Sequence, residues 1–336
     1  MQLFKTSIFQ FSSLMDERIA IASRELFLSD ILIFVIDENF RETSASVRSA
    51  EIGPDSYLWT TLLSVGLDYS KVSEWFRDDP LFAWDFWKRC YDLYRQQIPH
   101  RGYGEEYITP KPANFVIVNI FCVILEVCLN WSRIPRKKSF VITSAIDGYW
   151  SRLGFDDDQI FEMKGSVNYF QCSMPCRSRL WKVDTLNIDD VEKCLQLRSG
   201  PPLCGLCKRN FSRPNVFMES DCYFVSSRIV HQEQRLNELC ITNYDKKVLF
   251  AIVGVSIDNN RIFEVIKKKL LLLTNVSILL IDPKAVEIKD KLQIFLNNPQ
   301  ELNWILISMP VLEGLVTLNR HVRLLQYGEQ QADTGN

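Results

Sequence analysis

At 336 residues, 47% of them hydrophobic, the chain can bury the core of one large domain with a smaller module inserted into it, and extensive disorder is excluded. Its 39 basic and 41 acidic residues leave a formal charge of −2. That balance excludes a global basic field, so any contact with nucleic acid is expected to be indirect and none is expected with a membrane.

Residues 1–27 read as an N-terminal segment. Ser, Gln and Asp interrupt its apolar residues before a secretory core can form, so an intracellular location is expected. Ile31 to Ile36 is a short apolar run of the kind buried on both faces of a parallel sheet, and Phe140–Thr143, Val248–Gly254, Val276–Ile281 and Trp304–Ile307 read the same way. Asp79 and Pro80 make a helix start, as N-cap and first helical residue. Phe82, Phe86, Cys90 and Tyr94 then recur every four residues and predict a packed helix face. Phe115 to Leu129 is apolar but carries Asn119 and Glu126 and is shorter than the roughly 20 residues a bilayer requires, so a buried helix is expected. Arg133, Arg136, Lys137 and Lys138 predict a solvated basic loop. Glu105-Glu106 and Asp156 to Asp158 predict turns, and Lys267 to Lys269 suits the negative end of a helix dipole. The polar end from Gly328 to Asn336 is expected to fray. Strands alternating with helical patterns predict an α/β fold, with a mainly parallel sheet covered by helices.

Ten cysteines without a secretory signal suit a reducing compartment, where paired spacings favour metal over disulfide. Cys172-Ser-Met-Pro-Cys176 and Cys204-Gly-Leu-Cys207 form two such pairs, 27 residues apart. Two knuckles presenting two thiolates each complete the tetrahedral S4 site that zinc favours. Such a closed site leaves no open position for substrate, so one structural Zn2+ is expected, contributing on the order of 10 kcal/mol to folding of the module. Cys90, Cys122, Cys128, Cys194, Cys222 and Cys240 have no such spacing and read as ordinary thiols.

Ahead of the first knuckle stand Phe140-Val-Ile-Thr143-Ser-Ala-Ile-Asp147-Gly, Leu153-Gly154 and Phe161-Glu-Met-Lys164-Gly165-Ser166. Their order resembles the T-Q-N-I-D-G, A-G and L-H-G-S segments of the sirtuin family, whose zinc ribbon follows at the same place. Pro214-Asn-Val-Phe-Met218 is similar to the family's P-D-I-V-F-F, and Gly254-Val-Ser256-Ile to its G-T-S-L. Tyr57-Leu-Trp59 resembles G-L-W, and Asp79-Pro80-Leu-Phe82 resembles D-P-E-x-F. The resemblance spans about residues 28–285. It implies a Rossmann-like domain over 28–327, helices on both sheet faces, a zinc module at about 168–212, and a flexible tail at 328–336.

The resemblance fails where the family's chemistry resides. Its glycine loop, which lets the backbone approach the NAD phosphates, falls on Val35-Ile36-Asp37-Glu38-Asn39 when aligned from Arg48. Two carboxylates there oppose a dinucleotide. Ser144 and Ala145 replace the Gln and Asn that hold the nicotinamide ribose, while Asp147 is retained. Lys164 stands where the family has its general-base histidine, and a lysine is ordinarily protonated at neutral pH, so no catalytic residue is assigned. His100, His231 and His321 lie far from these segments in sequence and are given no role. Arg48, Asp147, Gly254 and Ser256 are therefore read as vestiges of a cofactor site, and NAD is not expected to bind.

These departures predict a sirtuin-like pseudoenzyme acting as an interaction scaffold or subunit of a larger assembly, with other protein subunits as partners. Family resemblance alone favours the nucleus. Two alternatives stay open. One is a divergent NAD-dependent deacylase or NAD-cleaving enzyme using Lys164, Asp147 and Ser256. The other is a reader of an extended peptide in the vestigial substrate cleft.

Overall fold

The computed structural model describes residues 2–37, 72–96, 125–183, 200–218, 220–297 and 302–334. Its strands are β1 (Ile31–Ile36), β2 (Lys138–Thr143), β3 (Ile160–Glu162), β4 (Gly165–Cys172), β5 (Trp181–Lys182), β6 (Ser212–Val216), β7 (Lys247–Val253), β8 (Asn275–Ile281) and β9 (Asn303–Ile307). Its helices are α1 (Gln2–Leu28), α2 (Val72–Asp78), α3 (Pro80–Gln96), α4 (125–132), α5 (Tyr149–Leu153), α6 (Ser227–Thr242), α7 (Asn260–Leu270), α8 (Ala285–Leu296) and α9 (Val311–Thr334).

Six strands form one sheet in the order β3-β2-β1-β7-β8-β9, and every neighbouring pair is parallel. The chain builds outward from β1 in one direction, returns, and builds outward from β7 in the other. Such a reversal opens a crevice above the C-terminal ends of the central strands, where α/β proteins place their ligands. All six side chains of β1 are buried because both sheet faces are covered. Leu32, Phe34 and Ile36 pack with Ile19, Trp131 and Leu318 from α1, α4 and α9. Ile31, Ile33 and Val35 pack with Leu236, Phe263 and Leu292 from α6, α7 and α8. The chain is thus α/β and Rossmann-like, with helices on both faces.

A second, antiparallel sheet has the order β5-β4-β6 and draws its strands from residues 165–216. Pro214 lies in β6, an edge strand, where a missing N–H is tolerated. α3 lays aromatic side chains on this sheet: Trp84 meets Phe170 edge-on at 5.4 Å, and the Tyr91 hydroxyl donates to the Val167 carbonyl at 2.6 Å. Asp79 caps α3 by accepting from Phe82 N–H at 3.0 Å. Phe86 and Cys90 are buried, as the four-residue pattern predicts. Phe82 is only half-buried, and the packed face is carried further by Ala83, Trp84, Trp87 and Tyr91, because a helix turns back every 3.6 residues. The side chain of Tyr94 lies outside the described residues.

One surface reading is corrected by the structure. Lys137 is drawn in rather than solvated: its Nζ donates to the carbonyls of Leu26 and Ser29 and to the Ser29 hydroxyl, satisfying the C-terminal end of α1. Lys267 to Lys269 fall in the last turn of α7, as expected, and Lys269 is in addition buried and pairs with Glu233 of α6 at 3.1 Å. The last helix runs through Thr334. No helix among the described residues is long and apolar enough to cross a membrane.

Candidate functional site

The crevice above β1 is the first place the fold would put a ligand. Asp37 follows β1 directly and is buried. One carboxylate oxygen accepts the hydroxyl of Ser144, just past β2, and the other accepts the backbone N–H of Ser256, just past β7, at 3.0 Å. A single side chain therefore clasps the tips of three adjacent strands. Gly254 turns the chain here with φ 58°, and its N–H donates to Ile281 at 3.3 Å. The Ser256 hydroxyl accepts from Asp258 N–H at 3.3 Å within the turn leading to α7. Arg48, Glu38 and Asn39 lie outside the described residues.

Asp147 is buried and accepts from Tyr149 N–H at 3.0 Å, which fixes the start of α5. Glu162 ends β3, and burial pushes its carboxyl up while the guanidinium of Arg228 offsets part of that effect. Lys164 occupies the turn between β3 and β4, partly exposed, and its carbonyl accepts from Phe217 N–H at 2.7 Å. Gly165 follows with φ 83°, and a Cβ there would lie 2.1 Å from the Asn215 carbonyl oxygen. Glycine is thus the residue that lets β4 and β6 close together.

The two cysteine pairs converge. The sulfurs of Cys172, Cys176, Cys204 and Cys207 all lie within 4.8 Å of one another, and those of Cys176 and Cys204 are 3.9 Å apart. A tetrahedral ion with Zn–S bonds of about 2.3 Å separates its sulfurs by about 3.8 Å, so the cluster fits a metal ion of that kind. Backbone supports it: Leu206 N–H points at Cys204 Sγ at 3.4 Å, and the Asn210 side-chain amide points at Cys172 Sγ at 3.5 Å. Neighbouring N–H groups of Asn210 and Arg209 hold the Cys207 thiol down at about 6, whereas desolvation and the adjacent thiols push Cys176 up to about 12. Four sulfurs this close cannot all ionise alone; a divalent cation removes that repulsion.

Beneath the knuckles lies a buried polar layer with no counterpart in the sequence reading. Gln171 Oε1 accepts from Asn215 Nδ2 at 2.7 Å and Val225 N–H at 3.0 Å, while Gln171 Nε2 donates to the Tyr223 carbonyl at 2.7 Å. Arg213 and Asp221 form an ion pair with both side chains fully buried. These contacts strap residues 220–226 to the cysteine sheet. Gln171 meets its partners 44 to 54 residues away, and nothing in composition or spacing marks them.

No family model matches the chain, and no curated protein matches it. Among solved structures the chain is similar to a Sir2 complex with p53 peptide and NAD+, at 15% identity and TM-score 0.45, covering 91% of this chain and 96% of that one. It is also similar to a Sir2 mutant with p53 peptide and NAD, at 14% identity and TM-score 0.44, covering 94% and 98%. The fold class rests on strand order and parallel register, not on this likeness.

Proposed function

We propose that the chain is a degenerate sirtuin, its NAD chemistry gone, whose frame serves as a scaffold for other protein subunits and carries one structural zinc in its cysteine cluster. The clasp made by Asp37 is the observation that carries this reading. A dinucleotide site needs backbone N–H groups, free of side chains, pointing at phosphate oxygens. In this crevice the N–H of Ser256 and the hydroxyl of Ser144 already serve a carboxylate. A phosphate entering there would compete with Asp37 for its donors and be repelled by its charge. Ser144, Ala145 and Lys164 add to the case, since none supplies what the family's Gln, Asn and His supply.

The test has two arms. Purified protein incubated with NAD and an acyl-lysine peptide is expected to release no nicotinamide above a protein-free control. In cells, an Asp147→Ala/Lys164→Ala variant is expected to keep its partners in a pull-down read by mass spectrometry, while Cys204→Ser at matched abundance loses them. Nicotinamide release that Lys164→Ala abolishes would overturn the proposal.

A further inference from the structure

The two cysteine knuckles leave apolar side chains in solvent. Met174 lies between Cys172 and Cys176, Leu206 between Cys204 and Cys207, and Leu203 just before Cys204; they are 45%, 39% and 50% exposed. Single exposed apolar residues are ordinary on a protein surface. These three are held together, because the four sulfurs beside them in the chain lie within 4.8 Å of one another. Asn210 ties the two loops: its side-chain amide donates to the Met174 carbonyl at 3.1 Å, and its own carbonyl accepts from Cys204 N–H at 2.7 Å. Clustered apolar side chains on such a preorganised support mark an interaction surface.

The charge here is one-sided. Residues 172–183 and 200–213 contain six cations, Arg177, Arg179, Lys182, Lys208, Arg209 and Arg213, and no Asp or Glu. Lys182 pairs with Asp157 and Arg213 with Asp221. The other four are exposed and have no ion pair among the described residues. A divalent ion held by four thiolates leaves two net negative charges, which match half of these four cations, so the surface stays positive. Arg177 follows Cys176, and Lys208 and Arg209 follow Cys207, so cations rim the apolar tips. An apolar centre with a charged rim is the layout of a protein–protein interface, where Met and Arg are over-represented.

A nucleic acid fits this surface less well. Its phosphates would take the cations, but its bases stack on exposed aromatic rings and have no use for aliphatic tips. The aromatic rings nearest the knuckles, Trp181 and Phe211, are half-buried, and Trp181 packs on Phe170 at 6.4 Å. We propose that the knuckle surface docks an acidic segment of another protein, whose apolar side chains meet Met174, Leu203 and Leu206 and whose carboxylates meet the surrounding cations. The proposal rests on the scaffold reading and gives it a surface and a partner chemistry. Long-range attraction steers the segment in, and contact with the apolar tips sets how long it stays.

In cells, Leu206 of the full chain is replaced by photo-reactive benzoylphenylalanine, and the segment it crosslinks is identified by mass spectrometry. That segment, made as a labelled peptide, is then titrated with the purified, zinc-loaded chain and followed by fluorescence anisotropy. The expected segment belongs to another protein and carries more Asp and Glu than Lys and Arg. Its binding is expected to weaken at least about tenfold in Arg177→Glu/Arg209→Glu, in Leu203→Ser/Leu206→Ser, and between about 50 and about 300 mM salt, with zinc content and melting temperature unchanged. Where charge reversal lowers the zinc content, Arg177→Gln/Arg209→Gln, which adds no negative charge beside the thiolates, is read in its place. A crosslink to a segment without acidic excess, to nucleic acid, to a second copy, to residues 184–199 of the same chain, or to nothing would overturn the surface. So would a peptide whose affinity these substitutions leave unchanged. All of these outcomes read contact at the knuckles, and are distinct from the nicotinamide release that would sink the scaffold reading itself.

Discussion

Replacing Asp37 by alanine probes the clasp that separates this crevice from a dinucleotide site. The substitution removes acceptors from the Ser144 hydroxyl and the Ser256 N–H and leaves both donors at the tips of buried strands. Hydrogen bonds to a charged group contribute about 1.5–3 kcal/mol each, so two set a ceiling of about 3–6 kcal/mol. Ser256 is only half-buried, and water reaching it recovers part of that loss, leaving an expected destabilisation of about 2–4 kcal/mol. Ser144→Ala removes one of the two bonds and is expected to destabilise by about half as much. The assay is urea unfolding followed by tryptophan fluorescence, with the midpoint shift read at constant slope. A change below about 1 kcal/mol for Asp37→Ala, or a stabilisation, would refute the clasp. A stabilising result would instead mark Asp37 as a group retained for chemistry at a stability cost.

Other expectations follow from the buried polar groups and the cysteines. Asp221→Ala strands the buried guanidinium of Arg213 and is expected to destabilise by about 3–5 kcal/mol, while adding Arg213→Met recovers most of it; a single variant within 1 kcal/mol of wild type contradicts the pair. Burial pushes Lys137 down to about 8. Its folded form therefore binds fewer protons than the unfolded chain above that pH, so its contribution to stability should rise from about pH 8 towards the ordinary lysine range; the slope is expected to vanish in Lys137→Met, as measured by unfolding at a pH series. Purified protein is expected to contain about one zinc per chain, and chelation should collapse the near-ultraviolet circular dichroism of Trp84 and Trp181 around the small sheet while the large sheet persists. Elemental analysis without zinc, in protein never exposed to chelator, counts against the site.

The large sheet was legible because its strands are unbroken apolar runs, and five of them match β1, β2, β7, β8 and β9 to within a few residues. The small sheet was not. β4 reads Gly-Ser-Val-Asn-Tyr-Phe-Gln-Cys and β6 reads Ser-Arg-Pro-Asn-Val, with Gln171, Arg213 and Asn215 buried, and Gln171 finds partners at Asn215 and Tyr223, 44 and 52 residues on. Hydropathy cannot mark a strand whose interior is polar. The end of α1 carries a signal in its sequence, since Ile19, Ala22, Ser23 and Leu26 follow helical spacing and all are buried. The cysteine cluster was legible from spacing alone, because CxxC-type pairs constrain geometry locally. For Asp37 the sequence marked the residue and the repulsion but not its partners, which sequence places 107 and 219 positions away.

The measurement that bears most directly on the lost cofactor site is calorimetric titration of NAD into the purified, zinc-loaded chain, paired with thermal unfolding at the highest NAD concentration. A chain whose crevice is closed by Asp37 yields no binding heat and no change in melting temperature. A ligand present at 100 times its dissociation constant would stabilise by about 2.7 kcal/mol. Saturable one-to-one binding at micromolar affinity, with the matching rise in melting temperature, would contradict the account.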